Sequence, residues 1–298
     1  MPMRDTPRAD IMDPLPQQIL PVDERQADLT RRILAGAVPA IERCLYALRA
    51  ATDADLAPRL PPAAAGQAYP YGRCQEITAD VMARLRNRLR APASDGERAL
   101  RDFVLQGGVV RPVWGVLRGQ YFQNAIQAGG LYMDVSNDTV VVTKPKVEIL
   151  PIAESGLENV RDLAHFRTTA ERYWKASVYA NTLVPSLAPL LPVVTSSPGR
   201  LLPGLQSACD YMIALMTRDA FAQAEAWVSD GPSPPPDVAA AVLAHVPIDL
   251  HPLTGDGRAE AVAACRRARA CGCHRDPGWR DVRVMEYLRI DARLSPDL

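Results

Sequence analysis

A cysteine follows directly on Gly-Arg in the stretch YPYGRCQEITADVMARL, residues 69 to 85. Ile77, Val81, Leu85 and then Leu89 recur at four-residue spacing, the buried stripe of an amphipathic helix, and this sets Cys74 in the first turn. A helix N-terminus carries partial positive charge and amide N–H groups that have no partner inside the helix. A thiol placed there is drawn toward the thiolate, its nucleophilic form, and the same N–H groups can hold an oxyanion. Gly72 allows close backbone approach, and Tyr71 of the preceding YPY can wall a substrate site. Glu76 pulls the other way: a carboxylate in the first turn suits the helix dipole but opposes a thiolate nearby. The competing reading of Cys74 is a small buried side chain with no chemistry.

A nucleophilic thiol is commonly paired with an imidazole base. The four histidines, His165, His245, His251 and His274, all lie late in the chain. His165, on an expected helix in DLAHFRTTAERYW, and His251, on a loop between Pro247 and Pro252, are the two candidates for completing a site at Cys74. Cys265, Cys271, Cys273 and His274 gather in CRRARACGCHRD and are of the soft type zinc takes. One residue, not two, separates Cys271 from Cys273, and no second cysteine pair exists, so a helix end with incidental thiols is the reading. No metal and no other cofactor is expected, and GGVVRPVWG lacks the spacing of a phosphate-cradling glycine loop.

The elements that must position these residues are legible in outline. Residues 1 to 24 are Pro-rich and polar and read as a flexible N-terminal arm. Residues 23 to 52 are helical in pattern, with Pro39 expected to break or kink them into two helices. The Pro- and Gly-rich run up to Gly72 is a loop, the Cys74 helix follows, and a shorter helix starts at a cap on Ser94 or Asp95. GGVVRPVWGVLRG, QYFQNAIQA, LYMDVSN and TVVVTKPKVEILPI then read as four strands of an antiparallel meander, with Gly129-Gly130 as a two-residue hairpin turn. Helices before and a sheet after predict an α+β class, with a core over 25–152. Residues 153–298 form a mostly helical region, WRDVRVMEYLRI within it reading as a last strand or helix.

Composition narrows the function. Basic and acidic residues balance at 34 each and aromatics are 6%, so neither nucleic acid nor an anionic membrane is expected as a partner. No apolar run is long enough to span a bilayer and the N-terminus has no secretory h-region. Six cysteines scattered through 298 residues read as reduced thiols of a cytoplasmic protein.

The stretch QNAIQAGGLYMDVSND, downstream of Cys74, resembles the transglutaminase-like and papain-like cysteine superfamily over roughly residues 66 to 150. In that superfamily a cysteine begins a helix packed on an antiparallel sheet. The next strand carries a histidine, and the strand after a glycine turn carries an aspartate that orients it. Matched without a gap, Gln123 stands in place of the histidine, Gly130 on the turn glycine, Tyr132 on an aromatic and Asp134 on the aspartate. The resemblance implies cysteine-dependent acyl transfer or amide chemistry on a small molecule or peptide. Cys74 would be the nucleophile, Gln123 a hydrogen-bond donor to a carbonyl or oxyanion, and Asp134 an orienting or substrate-binding carboxylate. Tyr71, Gly72, Trp114, Asn124 and Asp138 would be substrate-binding residues around them, although Asn124 points to the other face of the strand from Gln123. Gln123 has no useful proton affinity, so the alternative implied is a catalytically inactive domain that binds a ligand or protein in the same cleft.

Overall fold

The computed structural model describes residues 14–62, 67–197, 204–205 and 209–294. Residues 1–13 of the expected N-terminal arm and 63–66 of the loop before Cys74 lie outside the described residues. The class is α+β, as the pattern predicts. Helices α1 (Glu24–Leu29) and α2 (Val38–Leu56) are joined through a π turn at Thr30–Leu34 and a 3-10 turn at Ala35–Ala37. The expected division into two helices is found, but Pro39 does not kink the interior of either. It lies in the first turn of α2, where its fixed φ is already helical and its missing N–H would have had no partner. Helices α3 (Cys74–Arg88) and α4 (Asp95–Leu105) follow, the latter held by a capping box between Ser94 and Glu97.

The meander is β1 (Val110–Leu117), β2 (Tyr121–Ala128), β3 (Leu131–Asp134) and β4 (Glu148–Pro151), all antiparallel neighbours in that order. Ala128 pairs with Leu131, so Gly129-Gly130 is the two-residue turn, with Gly129 at φ +53. The Val-rich run at 139–142, expected as strand, is a turn instead. After the four-residue helix α5 (Ile152–Ser155), β5 (Leu157–Glu158) pairs with Val116 and Leu117 on the outer edge of β1.

The two faces of the sheet are covered differently. Ile126, Ala128, Leu131, Met133 and Val135 pack against Ile41, Leu45, Leu48, Ile77, Val81, Leu85, Leu100 and Phe103 of α2–α4. Farther along the same face, Trp114, Val116 and Phe122 join the apolar cluster of the C-terminal region. The opposite face holds a smaller cluster of Val113, Leu117, Tyr121, Ala125, Tyr132 and Leu157.

The C-terminal region is less purely helical than its pattern predicts. Helix α6 (Leu163–Tyr173) gives way to a second sheet of β6 (Ser177–Ala180), β7 (Val193–Ser196) and β8 (Gly204–Leu205). Two helices follow, α7 (Asp210–Arg218) and α8 (Ala222–Asp230), parted where Ala220 and Phe221 take positive φ. Helices α9 (Pro236–Leu243), α10 (Gly257–Ala270) and α11 (Pro277–Leu294) complete the chain, and α11 resolves WRDVRVMEYLRI as helix. Among the described residues no helix is long and apolar enough to cross a membrane.

One expectation is corrected at the N-terminus. From Pro14 onward the supposed flexible arm is docked. The Gln17 carbonyl accepts from Trp114 N at 2.8 Å, Ile19 exchanges two hydrogen bonds with the Asn159 carboxamide, and Leu20 exchanges two with Gln127. Leu15 is buried in the C-terminal cluster. Low hydrophobicity predicted mobility, but extended backbone paired to side-chain amides and a strand edge is ordered without a core of its own.

Candidate functional site at Cys74

Cys74 is the first residue of α3, as its spacing predicts, and no side chain caps the helix there. Its position is fixed from both directions. Gly72, at φ +71, donates its N–H to Thr139 O at 2.8 Å, tying the approach to the helix to the loop after β3. A Cβ at position 72 would meet the left-handed backbone penalty that glycine escapes. One turn into the helix, Thr78 Oγ1 reaches Asn124 O at 3.2 Å and Ser136 Oγ at 3.3 Å. Cys74 and Thr78, four residues apart, therefore present one helix face to the middle of β2.

The group that meets the sulfur is Asn124, whose Nδ2 donates to Cys74 Sγ at 3.5 Å. Gln123 does not face it. Side chains alternate across a strand, so Asn124 on the helix-covered face puts Gln123 on the other. There Gln123 Nε2 donates to Asp134 Oδ2 at 2.7 Å and to Ser136 O at 3.2 Å. Asp134 also accepts from Tyr132 Oη at 2.8 Å, from Ser136 N at 2.7 Å and from Ser136 Oγ at 3.1 Å. Gln123 and Asp134 are 1% and 0% exposed, which closes them to a substrate. The expected row of Cys74, Gln123 and Asp134 along one pocket is thus corrected to two separate pairs. The cause is a one-residue parity: the strand, once its inner face is chosen by Ile126 and Ala128, leaves 124 and not 123 toward the helix.

The electrostatics around the thiol do not activate it. Burial pushes the Cys74 thiol up, the hydrogen bonding with Asn124 opposes this, and the carboxylates of Asp134 and Glu76 add to the rise. Glu76 is itself engaged by Arg73 at 2.7 Å. Asp134 is likewise pushed up by burial, against the donors from Gln123, Ser136 and Tyr132. At pH 7.5, iodoacetamide is expected to label Cys74 more slowly than the exposed Cys271, and the Cys74 rate should climb steeply above pH 9. Mass-spectrometric rates at each thiol check this; Cys74 labelled first at neutral pH would show an activated nucleophile instead.

The remaining predicted site residues divide. Tyr71 and, with it, Tyr173 of α6, which no sequence pattern marks out, lie within electrostatic reach of the cysteine. Burial raises the Tyr173 phenol first, and Cys74, Tyr71 and Tyr121 raise it further, which places all four within electrostatic reach. The Tyr121 and Tyr173 rings lie 5.7 Å apart and Lys144 Nζ donates to Tyr121 Oη at 3.2 Å. The helical region thus brings an aromatic side chain within electrostatic reach of the cysteine. Trp114 is a core residue, not a substrate wall: its ring stacks on Phe122 at 5.2 Å and touches Tyr211 at 5.3 Å. Asp138 is also withdrawn from any substrate, because Arg49 grips it through Nη1 at 2.7 Å and Nη2 at 3.0 Å.

Neither candidate histidine is bonded to Cys74 or Asn124. His165 Nδ1 accepts from Arg161 N at 3.4 Å and its Nε2 lies 3.8 Å from Glu158; burial, then Arg161, lowers its pKa. His251 Nε2 pairs with Val246 O at 3.1 Å. In the C-terminal cysteine cluster Cys265 is buried, Cys271 exposed and Cys273 half-buried, and among the described residues no group of three metal-ligating side chains assembles.

Arg49 is the residue that sequence reasoning missed and that does most to hold the site's loop. It is 0% exposed, and besides Asp138 it bonds Val135 O at 2.7 Å and Asp53 Oδ1 at 2.6 Å. The signal was present: Ile41, Leu45, Leu48, Arg49 and Thr52 share the buried stripe of α2, and an arginine on such a stripe requires a buried partner. Comparison of the chain with family models, with curated proteins and with solved structures finds no match.

Proposed function

We propose that this chain is a ligand-binding module on a transglutaminase-like or papain-like arrangement of helix and sheet, with the Cys74–Asn124 cleft as the binding site and no thiol-hydrolase turnover. The observation that carries this reading is the partner of the sulfur, the Asn124 carboxamide at 3.5 Å. A carboxamide neither takes the thiol proton nor returns one to a leaving group. With burial holding the thiol in its neutral form, the nucleophile is not generated near pH 7. What the pair retains is recognition. The buried Asn124 carboxamide, bonded to Cys74 Sγ and to Gln17 Nε2, presents its edges to a ligand once the Gln17 contact opens, and Tyr71 and Tyr173 lie within electrostatic reach of Cys74, a setting suited to a small molecule or peptide that carries an amide.

One observation favours a second reading, Cys74-dependent acyl transfer or amide chemistry. Helix α3 has no side-chain cap, so amides of its first turn beside Cys74 are free to hold an oxyanion. Hydrolysis and aminolysis of a model thioester by the purified protein and by Cys74→Ala separate the two. Equal background rates are expected. A burst or turnover that disappears in Cys74→Ala would replace the binding reading with the enzymatic one. The companion variant is Asn124→His, which sets an imidazole on the residue that meets the sulfur. A gain of Cys74-dependent hydrolysis is expected there and not in Gln123→His, whose ring would enter the opposite face.

A further inference from the structure

The segment at residues 14–20, PLPQQIL, runs along the part of β1 that β5 leaves unpaired, since β5 reaches only Val116 and Leu117. Its carbonyl at Gln17 takes the Trp114 N–H at 2.8 Å, in the manner of an added strand. The side chain of the same residue then reaches the cleft. Gln17 Nε2 donates to Asn124 Oδ1 at 3.4 Å, while Asn124 Nδ2 donates to Cys74 Sγ at 3.5 Å. A carboxamide from the chain's own N-terminal part thus occupies the acceptor edge of the residue that faces the thiol. Gln17 does so from a backbone of φ +56, a region that a non-glycine residue holds only when its surroundings impose it. Those surroundings are tethers on either side: Arg111 Nη2 to Leu15 O at 3.1 Å, and Asn159 on both the N–H and the carbonyl of Ile19 at 2.9 and 3.1 Å.

We infer that residues 14–20 are an internal occupant of the Cys74–Asn124 cleft, covering it until an extended peptide bearing a carboxamide side chain displaces them. This deepens the binding reading above by naming the ligand class, and it rests on that reading. Recognition has two parts. The bonds to its backbone, one from the Trp114 N–H of β1 and the others from side chains of Arg111, Asn159 and Gln127, are indifferent to sequence, and the carboxamide on Asn124 supplies selection. Lys, Glu or an apolar side chain at the same place would leave the Asn124 acceptor without its donor or bring a charge beside a half-buried thiol.

The test uses the chain and three variants altered within the segment itself, Gln17→Ala, Leu15→Ala, and a triple variant that adds Ile19→Ala to both, so that Arg111, Asn159 and Asn124 remain in place to receive a peptide. Hydrogen exchange of the amides at 15–20 reports release of the segment, and iodoacetamide labelling at pH 9 reports exposure of Cys74. Gln17→Ala is expected to speed labelling about twofold to tenfold, as for loss of one hydrogen bond, and the triple variant more. Fluorescent PLPQQIL added in trans is expected to bind the triple variant and to slow its labelling, and the same peptide with alanine for its first glutamine to do neither. Three results overturn the inference: unchanged exchange in the triple variant, since the segment would then be a fixed part of the fold; faster exchange with unchanged Cys74 labelling; or an uncovered thiol with no capture of the peptide. Thioester turnover bears on the previous reading alone, so failure of one is distinguished from failure of the other.

Discussion

Arg49→Ala is expected to destabilise the protein by about 3–5 kcal/mol, the cost of breaking a buried ion pair from one side. The guanidinium is wholly enclosed and spends its donors on Asp138, Asp53 and the Val135 carbonyl. Removing it leaves the buried Asp138 carboxylate and the Val135 carbonyl without their donor, while the partly exposed Asp53 keeps its bonds from Tyr69 and Lys146. Thermal unfolding should show the loss as a fall of roughly 10 °C, at a few degrees per kcal/mol for a chain of this size. Asp138→Leu with Arg49→Leu is expected to cost less than the sum of the single changes, because apolar groups on both sides leave fewer charges unpaired. A drop of under 1 kcal/mol in Arg49→Ala would mean that the network is wet and weak. The pH dependence has a definite sign. Burial alone would raise the Asp53 carboxyl, but bonds from Lys146, Tyr69 and Arg49 hold it below the usual carboxylate range. A carboxyl lowered by folding stabilises the fold above its unfolded value of about 4, and that stability drains as pH falls through the folded value. Urea midpoints between pH 7 and pH 3 should therefore fall faster in the wild type than in Asp53→Asn.

The consequence of this network reaches the cysteine. Arg49 fixes Val135 and Asp138, and the next residue, Thr139, supplies the carbonyl that receives the Gly72 N–H two residues before Cys74. An arginine on α2 thereby sets where α3 begins. This is why parts of the site were legible in the sequence and parts were not. The hairpin at Gly129-Gly130 and the start of α3 at Cys74 follow from local rules: two residues free to take positive φ, and a four-residue apolar repeat with a defined first turn. Which of Gln123 and Asn124 meets the sulfur is not a local matter. Every residue of β2 is buried, so burial alternation along the strand carries no sign of which face lies toward α3. A single step of parity exchanges the two carboxamides, and the matched motif, being continuous in sequence, could not supply that step. Tyr173 and Gln17 were out of reach for another reason. They come to Cys74 from 99 residues downstream and 57 residues upstream, through packing of α6 on the sheet and of an extended segment on β1. Neither carries a periodic signal.

Asp134→Ala is the second change expected to have a large effect, again of about 3–5 kcal/mol, and its meaning lies in where that effect stops. The carboxyl gathers donors from Gln123, Tyr132 and the Ser136 amide and hydroxyl, all of them buried. An alanine leaves these groups facing a small cavity, each unsatisfied donor costing about 1–3 kcal/mol before relaxation. Gln123→Leu should cost less, since it removes one donor of four and also the Gln123 Oε1, which has no partner among the described residues. The double variant should cost less than the two added together, because the leucine no longer needs the acceptor that the alanine has removed. Urea unfolding of the three variants gives the coupling directly. Had Gln123 and Asp134 formed one row with the thiol, loss of Asp134 would reorder the groups around Cys74 and change its reactivity out of proportion to stability. On the arrangement found, Asn124 still faces the sulfur in Asp134→Ala. Its iodoacetamide rate at 25 °C, in the folded fraction, should then shift only by the modest fall in thiol pKa that follows from taking a nearby negative charge away. A larger change would restore Asp134 to the site and put the separation of the two pairs in error.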